Sequence, residues 1–208
     1  MKKIAKYLLE IEAVKLSPTK PFTWASGLKS PIYCDNRLTI SYPVIRTAIA
    51  RGLAEIIKSK FPEVEAIGGV ATAGIPHAAW VADLLDLPLF YVRSKPKNHG
   101  RGKQIEGAIN SGTKVILIDD LLSTGGSVLK AVDAAKKEKL DVIGVGAIFS
   151  YQLDELTRNF KKYNLEFDTV TNYSELIEAA LEMEKISPAQ LEVLKTWRNN
   201  PEKWSKTF

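Results

Sequence analysis

The sequence predicts an α/β protein with a central parallel sheet, helices on both faces and an N-terminal hood segment. Three observations predict it. Strand-length apolar runs alternate with helical patterns across residues 43–186, and such alternation with short connections builds a parallel sheet covered on both sides. Val115-Ile116-Leu117-Ile118 is apolar at four consecutive positions, as a strand buried on both faces requires. At 208 residues, the chain suits one domain with a sizeable core.

Each element has a local reason. Residues 2–13 form a short amphipathic pattern, so a helix is expected there. Residues 16–40 are punctuated by Pro18, Pro21, Gly27 and Pro31, which predicts an irregular arm carrying Phe22, Trp24 and Tyr33. From Pro43 to Lys60, Val44, Ile45, Ile49, Leu53, Ile56 and Ile57 recur at helical spacing. Strands are then expected at 65–70, 89–93, 115–118, 142–149 and 165–170. Helices are expected at 76–86, with proline in the first turn, and at 127–139, 154–163 and 174–185. The tail, 187–208, starts as a helix and carries Trp197 and Trp204. There is no internal repeat and no low-complexity linker. The whole of 1–208 therefore reads as one domain: an arm over 1–40, a core over 43–186 and a helical tail.

Composition narrows the function. With 45% hydrophobic and 25% charged residues, the chain is ordinary for a soluble globular protein. No apolar run approaches the roughly 18 residues of a membrane span, and Glu10 and Glu12 interrupt any signal-peptide core. A cytoplasmic location is expected. The single cysteine, Cys34, excludes an intrachain disulfide and a cysteine-cluster metal site, and it reads as a packing residue. The net charge of +5 is local: Arg93, Lys95, Lys97, Arg101 and Lys103 lie together with no acid between them, and the rest of the chain is neutral. The basicity is thus a local device rather than a surface coating for nucleic acid.

The most informative stretch follows the 115–118 strand. Asp119 and Asp120 stand where the strand is expected to emerge. Leu121 and Leu122 come next, then the small turn Ser123-Thr124-Gly125-Gly126-Ser127 that opens a helix. Open α/β sheets bind ligands beyond the carboxyl ends of their strands, with phosphate at helix N-termini. An acid pair beside a phosphate-sized turn suits a ligand bearing a phosphate and a sugar diol or metal ion. The plainer reading is that the acids cap a turn eased by two glycines. A nucleotide hydrolase would need a loop ending in Gly-Lys-Ser/Thr, but Gly69 and Gly74 are followed by Ile75-Pro76. A dinucleotide site would need a glycine spacing that residues 123–127 lack.

Three further stretches bear on chemistry. Residues 70–76 form a second small strand–turn–helix junction, able to bring backbone N–H groups close to an anion or merely to pack tightly. Residues 94–107 lack apolar content until Ile105, and connections of that length are usually functional. The cations there recur at every second residue, with His99 in the fourth place; the plainer reading is a solvated or polyanion-binding tract, while their mutual repulsion favours a bound polyanion such as pyrophosphate. A loop closing over it could exclude water. The aromatics and serines of residues 22–33 could frame a planar base, or anchor the arm to the core. His77 reads as helix packing.

Taken together, residues 116–127 resemble the signature with which type I phosphoribosyltransferases bind 5-phosphoribosyl diphosphate (PRPP). The ordered set of Phe22-Thr23-Trp24-Ala25-Ser26-Gly27 with Ser30-Pro31, the Thr72 to Pro76 turn, Tyr91-Val92-Arg93 leading to Lys97-Asn98-His99-Gly100, and Gln104-Ile105-Glu106-Gly107 resembles the orotate branch of that family. Thr171-Asn172-Tyr173 is similar too. The resemblance implies transfer of phosphoribose from PRPP to orotate in pyrimidine biosynthesis, with Lys97, His99, Asp119 and Asp120 as catalytic residues. Arg93, Lys97 and His99 would grip the diphosphate, and Asp119 and Asp120 the ribose hydroxyls. Leu121, Leu122, Ser123, Thr124, Gly125, Gly126 and Ser127 would complete the PRPP site, with Ser123 also near orotate. It implies Mg²⁺ carried on PRPP with no direct protein ligand, and a homodimer in which the 94–107 loop acts across the interface. Neither nucleic acid nor membrane is implied as a partner. The chain departs from the family at Ala25, Ala73 and Ser94, where lysine is common, and no orotate-binding arginine is evident in Ile148-Phe149-Ser150-Tyr151-Gln152. Lys29, Lys95 or Arg101 would have to restore charge. The same signature also serves transferases for other bases, and a PRPP-sensing regulator, which would need a second basic surface or a recognition domain.

Overall fold

The computed structural model describes residues 2–24, 26–95 and 103–208. The chain opens with α1 (Lys2–Glu10) and then doubles back in two short ribbons where its prolines predicted irregular structure. β1 (Val14–Leu16) pairs antiparallel with β4 (Ile32–Cys34), and β2 (Phe22–Thr23) with β3 (Lys29–Ser30). Gly27 supplies the left-handed turn between β2 and β3 at φ 83°. A 3₁₀ turn over Asn36–Ser41 leads to α2 (Pro43–Lys60), with proline in the first turn where its missing N–H costs nothing. Ile45, Ile49, Leu53, Ile56 and Ile57 of α2 are buried as their spacing predicts, but Val44 is 70% exposed, because it lies off that stripe.

The alternation that follows is β5 (Ala66–Val70), α3 (Gly74–Leu85), β6 (Leu89–Val92), β7 (Ile105–Glu106), β8 (Lys114–Leu122), α4 (Gly126–Lys137), β9 (Asp141–Ser150), α5 (Asp154–Tyr163), β10 (Glu166–Asn172) and α6 (Tyr173–Glu182). Six strands form one sheet in the order β10-β9-β8-β5-β6-β7, parallel except where the two-residue β7 runs antiparallel to β6. Successive side chains of β8 go to opposite faces. Ile116 and Ile118 join a core with α1, α2, α3 and α6; Val115 and Leu117 join a second core with α4 and α5. All four are fully buried, and each such side chain contributes roughly 1.5–3 kcal/mol.

Two boundaries differ from expectation in ways that matter. β8 does not end at residue 118: β9 is long enough to continue the ladder to Leu122↔Ser150, and the Tyr151 N–H donates to the Leu122 carbonyl at 3.2 Å. Asp119 and Asp120 therefore lie inside the strand, not beyond it. The tail is two helices, α7 (Pro188–Asn199), opened by a Ser187/Gln190 capping box, and α8 (Pro201–Ser205), restarted by Asn200 and Pro201. Trp197 is fully buried against Tyr173 and meets Trp24 edge-on at 5.8 Å, so the tail is bound to the arm. Among the described residues no helix is long and apolar enough to cross a membrane.

Candidate active site

The C-terminal end of β8 gathers most of the polar chemistry. Asp119 is 8% exposed, and its Oδ1 accepts the Asp120 N–H at 2.9 Å. Burial, helped by the adjacent Asp120 charge, pushes the Asp119 carboxyl up to about 7. Burial raises the half-buried Asp120 carboxyl as well. A proton or a hydrogen-bond donor is thus favoured at this pair, which suits hydroxyl groups of a ligand. Asn36 of the arm donates to the Asp120 carbonyl at 2.6 Å, fastening the arm to the strand tip. Asn36 was not singled out in the sequence, because nothing local to it reveals a contact 84 residues away.

Beyond β8, Ser123, Thr124 and Gly125 turn into α4. Gly125 sits at φ 82°, and a Cβ there would come within 2.9 Å of Phe160 and 3.0 Å of Leu156, so both conformation and space demand glycine. Asn159 of α5 donates to the Thr124 carbonyl at 2.9 Å and holds the turn from below. No side chain caps α4, so its first backbone N–H groups stay available to an anion. The second small turn lies alongside. α3, likewise uncapped, starts at Gly74, where a Cβ would lie 2.2 Å from the Ile118 carbonyl and 3.2 Å from the Asp119 Cα. Only glycine lets that turn approach the acid pair so closely. The peptide between Ala71 and Thr72 in the same turn is cis.

At the sheet edge, the cationic segment emerges from a clamped base. The Arg93 N–H donates to the Gln104 carbonyl at 2.8 Å, and Gln104 Nε2 returns a bond to the Arg93 carbonyl at 3.0 Å. Not all of its cations are held in reserve for a polyanion: Arg93 lies 3.6 Å from Glu106, and Lys103 lies 3.8 Å from Glu138. Lys95 is exposed. Lys97, His99 and Arg101 lie outside the described residues, as does Ala25.

The arm and the tail wall a cavity of about 920 Å³ whose floor includes Ser123 and Thr124. Of the arm's aromatics, Trp24 lines it, with the Nε1–H fixed on the Ile32 carbonyl at 3.1 Å and the ring 5.1 Å from Tyr151. Phe22 and Tyr33 instead pack on each other at 5.8 Å, and Tyr33 is 43% exposed. Ser26, Gly27 and Leu28 continue that wall, and the opposite wall is made by Arg198, Asn200, Ser205 and neighbours from the tail. The tail's part was not expected, since nothing in its sequence beyond a helical start and two tryptophans indicated a role. Cys34 donates to Asn36 Oδ1 at 3.3 Å, and burial pushes its thiol well up, so it is an unreactive packing residue. Among the described residues no group of three or more His, Cys, Asp or Glu is placed to hold a metal ion.

Residues 42–182 match the phosphoribosyl transferase domain family. The chain is 60% identical to an orotate phosphoribosyltransferase of Enterococcus faecalis over 205 residues, covering 99% of this chain and 98% of that one. Among solved structures, it resembles Leishmania donovani UMP synthase, with a TM-score of 0.81 at 26% identity, over 95% of this chain and 42% of that one. It also resembles orotate phosphoribosyltransferase from Aeropyrum pernix, with a TM-score of 0.76 at 25% identity, over 88% of this chain and 99% of that one.

Proposed function

This chain belongs to the orotate phosphoribosyltransferase family, and from that membership we propose how its residues carry the reaction. It transfers the 5-phosphoribosyl group from PRPP to orotate, giving orotidine 5′-monophosphate and pyrophosphate in pyrimidine biosynthesis. The observation that carries the residue assignment is one juxtaposition: two small turns opening uncapped helices, side by side, with buried Asp119 and half-buried Asp120 of β8 against them.

In this reading the 123–127 turn and the start of α4 hold the 5′-phosphate through backbone N–H groups and hydroxyls. Asp119 and Asp120 accept hydrogen bonds from the ribose hydroxyls. As the anomeric bond breaks, positive charge grows on the sugar and negative charge on the departing pyrophosphate. The acid pair favours the first; Arg93, Lys97 and His99 stabilise the second. Orotate lies in the cavity between arm and tail, with Ser123 at its edge. Its N1 ionises readily, so no strong general base is required.

Mg²⁺ fits this donor set as an ion carried on the diphosphate, since the strand tip offers one carboxylate pair and hard cations take oxygen ligands from substrate phosphates. When bound, it neutralises charge on the leaving group. The reading extends to one domain over 1–208, to a homodimer in which residues 94–107 serve the neighbouring site, and to a cytoplasmic location. Mixing the protein with orotate, PRPP and Mg²⁺ should produce PRPP-dependent loss of orotate absorbance, while purines and uracil give none. A protein that leaves orotate unconsumed refutes the reading.

A further inference from the structure

Orotate carries a carboxylate besides the ring, and the cavity that would receive it has acids on its walls: Asp154, Glu155 and Glu202. An anion entering there needs a local, fixed cation, because leaving the carboxylate partly desolvated and unpaired is costly. Three cations line the cavity. Arg158 and Lys206 are exposed. Arg198 is half-buried, on the tail wall facing the arm.

Arg198 is also the one that is held. Its Nη1 donates to Ser174 Oγ at 2.6 Å and to Gln152 Oε1 at 3.2 Å, acceptors from two different segments of the core. Gln152 is itself fixed: its Oε1 accepts the Ser174 N–H at 3.0 Å and the Ser174 hydroxyl at 2.7 Å. Both acceptors are neutral, and among the described residues Arg198 makes no ion pair. Its Nε and Nη2 make no hydrogen bond within the described residues. That edge is the one a guanidinium uses for two parallel bonds to a carboxylate. A guanidinium oriented through one nitrogen, with its charge uncompensated and its fork unused, is prepared for an anionic ligand.

We propose that Arg198, supplied by the C-terminal tail, binds the carboxylate of orotate and so selects orotate over bases that lack one. The assignment rests on the transferase reading above. It makes α7 and α8 a wall of the base site rather than an appendage.

The test is steady-state kinetics of Arg198→Gln and Arg198→Lys, with uracil as a competitor that lacks the carboxylate. Arg198→Gln should raise the KM for orotate roughly 10- to 100-fold, the scale of one lost charge-assisted interaction. The KM for PRPP and any inhibition constant measured for uracil should stay within about twofold of wild type. Arg198→Lys should lose several-fold in orotate KM, because an ammonium keeps the charge without the fork. A wild-type orotate KM in either variant overturns the assignment. So does parallel weakening of orotate, PRPP and uracil, which marks a merely structural role. If the unaltered protein fails to consume orotate, it is the transferase reading that falls.

Discussion

A carboxyl group can be placed where it weakens the fold, and Asp119 is such a case. Its folded pKa, about 7, lies above the ordinary 3.8. Between those values the native protein holds a proton that the unfolded chain releases, so stability falls as pH rises. Asp119→Asn should therefore raise the thermal midpoint at pH 8 by a few degrees. The gain should shrink towards zero near pH 4, while transferase turnover drops at every pH. Midpoints equal to wild type at pH 8 would show that the carboxyl is not strained by burial. At this scale the sequence was legible where structure is local: adjacent acids next to a glycine turn mark a strand–turn–helix junction and a candidate site, and the structure places them at such a junction. Asn36 and Arg198 were not legible, because each matters only through contacts far along the chain.

At the scale of elements, α3 shows a buried group working against its helix. His77 is fully buried in the first turns, packed edge-on to Trp80, and neither ring nitrogen has a hydrogen-bond partner among the described residues. Burial pulls its pKa from 6.5 to about 4, so the folded ring is neutral. The unfolded chain takes up the proton first as pH falls, and stability is lost from about pH 6.5 towards pH 4. His77→Leu should flatten that slope in urea midpoints and cost little at pH 7, since an apolar group replaces an unsatisfied polar one. An unchanged acid slope would place the sensitivity elsewhere. The turn into α4 has the opposite character. Gly125→Ala meets both a left-handed backbone and a side-chain clash, so it should destabilise by about 1–3 kcal/mol and raise the KM for PRPP, measurable in the same kinetic assay. Hydrophobic period and glycine placement made the strands and helices of the core readable. The ends of β8 and the ribbons of the arm were hidden, because partners in the sheet and not propensity decide where pairing stops.

For the whole molecule, arm and tail come from opposite ends of the sequence yet meet across one cavity, joined where the Lys29 N–H donates to Ser205 Oγ at 2.8 Å. If the 94–107 segment serves the neighbouring subunit, a Lys97→Ala protein and an Asp120→Asn protein should each lose roughly two orders of magnitude in turnover. Remixed as dimers, they should recover about a quarter of wild-type activity, because half the dimers are mixed and each then holds one intact site. No recovery after verified subunit exchange would mean that the segment serves its own subunit. The pairing of β6 with β7 and the reciprocal bonds of Arg93 and Gln104 fix the two ends of that segment side by side. The closure entropy is thus met by the sheet edge itself. Changes in the length or charge of the stretch between should therefore leave the folding of the core undisturbed, so whatever chemistry that stretch carries can evolve separately from it.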